Sequence, residues 1–128
     1  MSAIEIRIDD IPPSANVQRR MHWAAYAKLR RDWAWQIAAT IAKRPFAEPL
    51  PFARITFTRH APRSLDADNL AGAFKPALDV LRPATKSNPN GLGLIEDDDA
   101  AHVVVTYQQA KCHKDKAHTT IVIERGAA

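Results

Sequence analysis

Hydrophobic and polar positions alternate, then cycle, then alternate again along this chain. In AIEIRI (Ala3–Ile8), Ile4, Ile6 and Ile8 are separated by Glu5 and Arg7. That period of two predicts a half-buried strand. DDIPPSANVQRR follows, and Pro12, Pro13 and Ser14 break the strand into a loop. From about His22 to Lys43 the period lengthens. Tyr26, Leu29, Trp33, Ile37 and Ile41 recur at helical spacing and define a buried stripe. The proline-rich RPFAEPLP is a connector. FARITFT (Phe52–Thr58) then alternates, with some slip, through Phe52, Ile55 and Phe57.

A second helix is expected after SLDADN. Asp66 or Asp68 can cap it by accepting from its unpaired first N–H groups. Leu70, Phe74, Ala77, Leu78 and Leu81 share its apolar face, and Pro76 should kink it by removing the bond to the Gly72 carbonyl. RPATKSNPNGLG is a loop rich in Pro, Asn and Gly, where flexibility is expected. AHVVVTYQQA and HTTIVIERG are expected strands, joined as a hairpin through the polar KCHKDKA. The order is strand, helix, strand, helix, strand, strand. It predicts one α+β domain over residues 1–128, a small mixed sheet with two main helices packed on it.

Composition changes this picture little. The chain has 128 residues, 46% hydrophobic and 25% charged, as in ordinary globular domains. Cys112 is the only cysteine, so no internal disulfide forms, which fits a reducing cytoplasm. MSAIEIRIDD has neither a basic start nor an apolar core, so no signal peptide is expected. No apolar run has the length of a membrane span, and no glycine-rich phosphate loop suggests a nucleotide cofactor.

Charge is more informative in its distribution than in its total of +4. Between Ala15 and Arg44 the basic residues are Arg19, Arg20, Lys28, Arg30, Arg31, Lys43 and Arg44, and Asp32 is the only acid. Arg19, Arg20, Lys28, Arg30 and Arg31 are candidate DNA-phosphate contacts. They do not share one helix face, so only some can touch DNA at once. The acids gather elsewhere, in DADN and in IEDDDAA. On a helical wheel Asp68, Gly72, Lys75, Asp79 and Arg82 form one stripe, opposite Leu70, Phe74, Ala77 and Leu81. Asp98 is expected to face Asp66 and Asp68, with Asp97 next.

Carboxylates brought that close repel one another, and a divalent cation removes the conflict. Mg²⁺, or Mn²⁺ in its place, takes such oxygen ligands and can polarise a phosphoryl oxygen. Lys75 can then stabilise charge on a scissile phosphate. Taken singly, each motif has a plainer reading: a helix cap, an exposed acidic turn, a solvated lysine. Trp23, Trp33 and Trp35 can stack on unpaired bases, though Trp33 fits the core better. Asn16, near His22, can shape the loop beside the site. Cys112, His113 and His118 lack the paired spacing of a zinc site.

Three segments in order resemble the RusA family of Holliday junction resolvases. They are PPSANVQRRMHWAAYAKLRRDWAW (Pro12–Trp35), DADNL (Asp66–Leu70) and LIEDDDAAHV (Leu94–Val103). The resemblance implies a small metal-dependent endonuclease that cuts four-way DNA junctions as a homodimer, in recombination and repair, and is common in prophages. It implies that Asp66, Asp68 and Asp98 are the essential acids, with Asp97 beside them, and that Asn69 is structural. The sequence departs from the family at Gly72, where a lysine is expected, and the role passes to Lys75. It also departs in the longer segment between the acidic motifs. The rival readings are flap or single-strand cleavage on the same fold, a catalytically inert branched-DNA-binding protein, and a cation-stabilised structural domain.

Overall fold

The computed structural model describes residues 2–41 and 43–127. Strand β1 (Ala3–Ile8) is followed by a short helix α1 (Ala15–Arg19), long helix α2 (Trp23–Ile41) and strand β2 (Ala53–Ala61). Then come α3 (Ala67–Ala73), α4 (Lys75–Leu81), β3 (Val103–Lys111), a 3-10 turn (Lys114–Lys116) and β4 (His118–Arg125). The sheet has four strands in the order β1-β4-β2-β3. The expected α+β fold with a mixed sheet is therefore what forms: β2 runs parallel to β3 and antiparallel to β4.

One expectation is corrected. The last two strands are not a hairpin, because β2 lies between them. The α3–α4 crossover carries the chain back so that β3 pairs parallel to β2, as a helical crossover permits. The polar link after β3 then passes the end of β2, where the Cys112 amide donates to the Ala61 carbonyl at 3.3 Å. This brings β4 to the other edge of β2. Local alternation identifies strands but carries no information about which strand lies beside which.

Alternation does set the faces. Ile6, Ile8, Ile55, Phe57, Val103, Ile121 and Ile123 are buried, whereas their neighbours along each strand are more exposed. Trp33, Ile37, Leu70, Phe74, Leu78 and Leu81 of the helices complete the core.

The expected second helix is two helices. Phe74 sits at the break with φ −89° and ψ 0°, and Pro76 occupies the first turn of α4, where it loses no hydrogen bond. Phe74 is fully buried and stacks on Phe57 with ring centroids 4.8 Å apart. The predicted helix from His22 to Lys43 corresponds to α2; Ala42 lies outside the described residues.

Helix α1 falls where the sequence suggested only a loop. Ser14 caps it, accepting from the Val17 amide at 3.3 Å. The buried Gln18 amide donates to the Pro13 carbonyl at 2.8 Å and to the Ala73 carbonyl at 3.0 Å, fastening α1 to the end of α3. The segment RPATKSNPNGLG, expected to be flexible, is hydrogen-bonded back onto α4. Leu92 and Leu94 amides donate to Val80 and Leu81 carbonyls, each at 2.8 Å.

Candidate functional site

Asp66 adopts extended backbone and caps α3. Its Oδ1 accepts from the Asn69 amide at 2.9 Å and its Oδ2 from the Asn69 side-chain amide at 3.0 Å. These two bonds hold its carboxyl below the ordinary carboxylate value. The Asn69 side-chain oxygen Oδ1 in turn accepts from the Asn16 backbone amide at 2.9 Å. Asn16 and Asn69 thus clamp the start of α1 to the start of α3. The Arg19 guanidinium reaches the Asn16 side chain. Asp68 is in the first turn of α3 and exposed to solvent.

The second acidic segment is anchored from behind. Ile95 is fully buried, and its amide donates to the Leu81 carbonyl at 3.1 Å. Leu50 bridges the same segment: its amide donates to Leu94, and its carbonyl accepts from Glu96, both at 3.0 Å. Asp98 emerges from this anchor toward α4. Lys75 Nζ lies 3.1 Å from Asp98 and 2.8 Å from Asp79, one turn along its own helix. Arg82 follows at 3.4 Å from Asp79 and 3.9 Å from Asp98. The charged stripe foreseen on the helical wheel survives the break at Phe74 from Lys75 onward.

Burial pushes Asp98 upward, but the hydrogen bond and charge of Lys75, then Arg82 and Asp97, outweigh it and hold Asp98 below its ordinary value. Burial likewise works against the Lys75 charge, and Asp79 and Asp98 outweigh it, so the ammonium is held above its ordinary value. The pair is therefore fixed in its charged form. Tyr107 stands on the same side; burial raises its phenol, with Lys75 and Asp98 acting in opposite senses. Tyr107 lay within the expected strand AHVVVTYQQA but carried no sign of its nearness to Lys75.

Three ligand-bearing side chains that do converge are Asp97, Asp99 and His102, whose ligand atoms all lie within 4.8 Å of one another. Of the four expected ligands Asp66, Asp68, Asp97 and Asp98, only Asp97 belongs to this group. His102 Nδ1 lies 2.5 Å from Asp99, and that hydrogen bond raises its imidazole above the ordinary value, against desolvation and with the nearby charges of Asp99, Asp97 and Glu96. Asp97 itself accepts from the Asp98 amide at 2.8 Å. His102 was missed because a single histidine before a strand has no distinguishing spacing.

Gly72 has a structural cause. A Cβ there would stand 2.4 Å from the Ala15 Cβ, so α1 and α3 can touch only with glycine at this position. A lysine has no room there. Beside this contact lies a cleft of about 340 Å³ lined by Ala15, Gln18, Arg19, Tyr26, Gly72 and Lys75.

The expected basic contacts are spread out. Lys28 pairs with Asp32 at 2.6 Å, and Arg31 approaches the same carboxylate at 4.0 Å. Arg30 lies over the Tyr26 ring at 5.5 Å, and Arg31 over Trp35 at 5.3 Å. Arg19 and Arg20 are exposed and make no ion pair among the described residues.

No protein-family model matches the chain. No curated protein matches it either. Among the described residues no helix is long and apolar enough to cross a membrane.

Proposed function

We propose that this chain is a metal-dependent endodeoxyribonuclease acting on branched DNA, four-way junctions in particular, as a homodimer. The observation that carries the reading is Lys75. It stands on the helices that follow the first acidic motif, yet its ammonium lies 3.1 Å from Asp98 in the second. Lys75 thus ties the helix after the first acidic motif to the second acidic segment, while Asp66 and Asp68 are not among its ion-pair partners.

Asp66, Asp68, Asp98 and Asp97 are the residues that would hold Mg²⁺ or Mn²⁺. Their donor chemistry fits, since all are carboxylates, Asp68 is exposed at a helix start, and Asp66 uses one lone pair of each oxygen on Asn69, leaving others; only Asp97 stands among the side chains that already converge, so the ion itself would have to draw the other three together. Bound there, the metal would activate water and neutralise charge on the phosphate. Lys75 supplies a positive charge to a phosphate oxygen. Arg19 and Arg20 hold the flanking strand without sequence preference. A two-fold dimer would present two such sites to a nearly two-fold junction.

The test is cleavage of an end-labelled synthetic junction, with and without Mg²⁺, beside a linear duplex of the same sequence. Paired, metal-dependent nicks on the junction are expected. Asp68→Asn should abolish them while keeping or tightening binding, with circular dichroism showing an intact fold. Equal cutting of the linear duplex would overturn the branched-DNA assignment.

One observation favours a second reading, an inert branched-DNA-binding protein. Gly72 has no room for the lysine of the resolvase pattern, and Lys75 is already engaged by two carboxylates. Tight junction binding without scission in Mg²⁺ or Mn²⁺ would support it.

A further inference from the structure

The corner between α1 and α2 combines features that the cleavage reading does not use. Large apolar side chains exposed to solvent include Val17 at 47%, Trp23 at 76% and Trp35 at 63%. Val17 and Trp23 flank Arg19 and Arg20 in sequence. Trp23 is the first residue of α2, and its indole lies against the His22 ring, centroids 5.4 Å apart. His22 is itself fixed, because its Nδ1 accepts from the Ala24 amide at 3.2 Å. The platform is therefore held at the helix start and uncovered on its outer side. Tyr26 follows one turn later, and residues three apart on a helix are neighbours. Tyr26 also walls the cleft that Arg19 and Lys75 line. An exposed flat ring thus stands one helical turn from a cationic hollow.

We propose that this corner is a seat for one unpaired DNA nucleotide, its base stacked on Trp23 and its phosphate at Arg19 in the mouth of the cleft. Nucleic acid as the partner rests on the nuclease reading above. The choice of an unpaired nucleotide rests on the corner itself. A base in a duplex has no free face for an indole, whereas bases unstacked at a branch point do, and stacking on aromatics tolerates any base. Arg19 and Arg20, without ion pairs among the described residues, supply the charge that a phosphate needs. A second copy of the chain meeting the same corner would set these like charges against each other, which disfavours self-association there.

The test uses the full chain in EDTA, so that no cleavage intervenes. In a Trp35→Phe background, where Trp23 is the exposed indole, oligo-thymidine and a four-way junction should quench the fluorescence, and a blunt duplex should not. By anisotropy of the labelled oligonucleotide, Trp23→Ala should weaken single-strand binding by about tenfold, within what one base–aromatic stack contributes. Duplex binding should stay unchanged, and Trp23→Phe should recover most of the loss. Trp23→Gln repeats the measurement with a polar, helix-compatible side chain, and thermal melts accompany every variant. Unchanged single-strand affinity in Trp23→Ala, or an equal loss on duplex, overturns the proposal. So does quenching that rises with protein concentration in the absence of DNA. Failure of the nuclease reading looks different: quenching persists, and no Mg²⁺-dependent nicks appear on the junction.

Discussion

Asp66 shows how one side chain can hold a helix and remain available to a ligand. The cap and the charge can be separated by substitution. Asp66→Ala removes the acceptor for the Asn69 amide and should lower the midpoint of chemical denaturation. Asp66→Asn keeps an acceptor, so its melting temperature should stay near wild type while Mg²⁺-dependent cleavage is lost. A cleaving Asp66→Asn variant would reduce this acid to its capping role. Gly72 poses the complementary case, a residue defined by what it leaves out. Gly72→Ala should destabilise by about 1–3 kcal/mol, since the clash falls on the Cβ of a helical residue rather than a flexible chain end. Ala15→Gly in the same chain should recover part of that loss, and a double-mutant cycle by urea titration measures the coupling. Additive losses would mean that the two helices do not press on each other there. The capping function of the DADN motif was legible in the sequence. Which aspartate does it depends on which one has extended backbone, and spacing does not reveal that. The reason for Gly72 was illegible, because it lies in a contact with a residue of another helix.

Among elements, α2 and the strands were readable because periodicity is a local signal. Helix α1 was not. Five residues are too few to show a period, and its stability comes from tertiary bonds such as that of Gln18 to Ala73. Composition also misled on the segment after α4. Its Pro, Asn and Gly content suggested mobility, yet Asn88 is buried and its side-chain amide donates to the Asp79 carbonyl at 2.8 Å and to Pro83 at 3.3 Å. A single asparagine thus closes the end of α4 and turns the chain toward Leu94. Asn88→Ala should remove the donor shared by the Asp79 and Pro83 carbonyls, leaving Asp79 only the Arg82 amide at 3.3 Å, and cost about 1 kcal/mol. Hydrogen exchange should quicken first at the Leu92 and Leu94 amides, which bond back to α4. Uniform loss of protection across the sheet would instead show that the segment unfolds only with the whole domain.

At the scale of the molecule, two charged regions share one small scaffold: α4 and the Asp98 segment carry a mixed ion cluster, and the α1–α2 corner carries Arg19 and Arg20, without ion pairs among the described residues, beside an exposed indole. The sequence foreshadowed a basic stretch apart from the acidic motifs but not the meeting of Lys75 with Asp98, which depends on the crossover returning beside β2. The order of strands has one more consequence. β1 lies at the sheet edge and bonds only to β4, so Ala3 finds its partner at Glu124. On a ribosome the parallel β2–β3 unit and its helices can emerge complete while β1 still waits, its isoleucine face without a neighbouring strand. Of these four strands, β1 is made before the others and paired last. Closing so long a loop delays folding, and the nascent chain holds an open sheet edge until β4 leaves the tunnel.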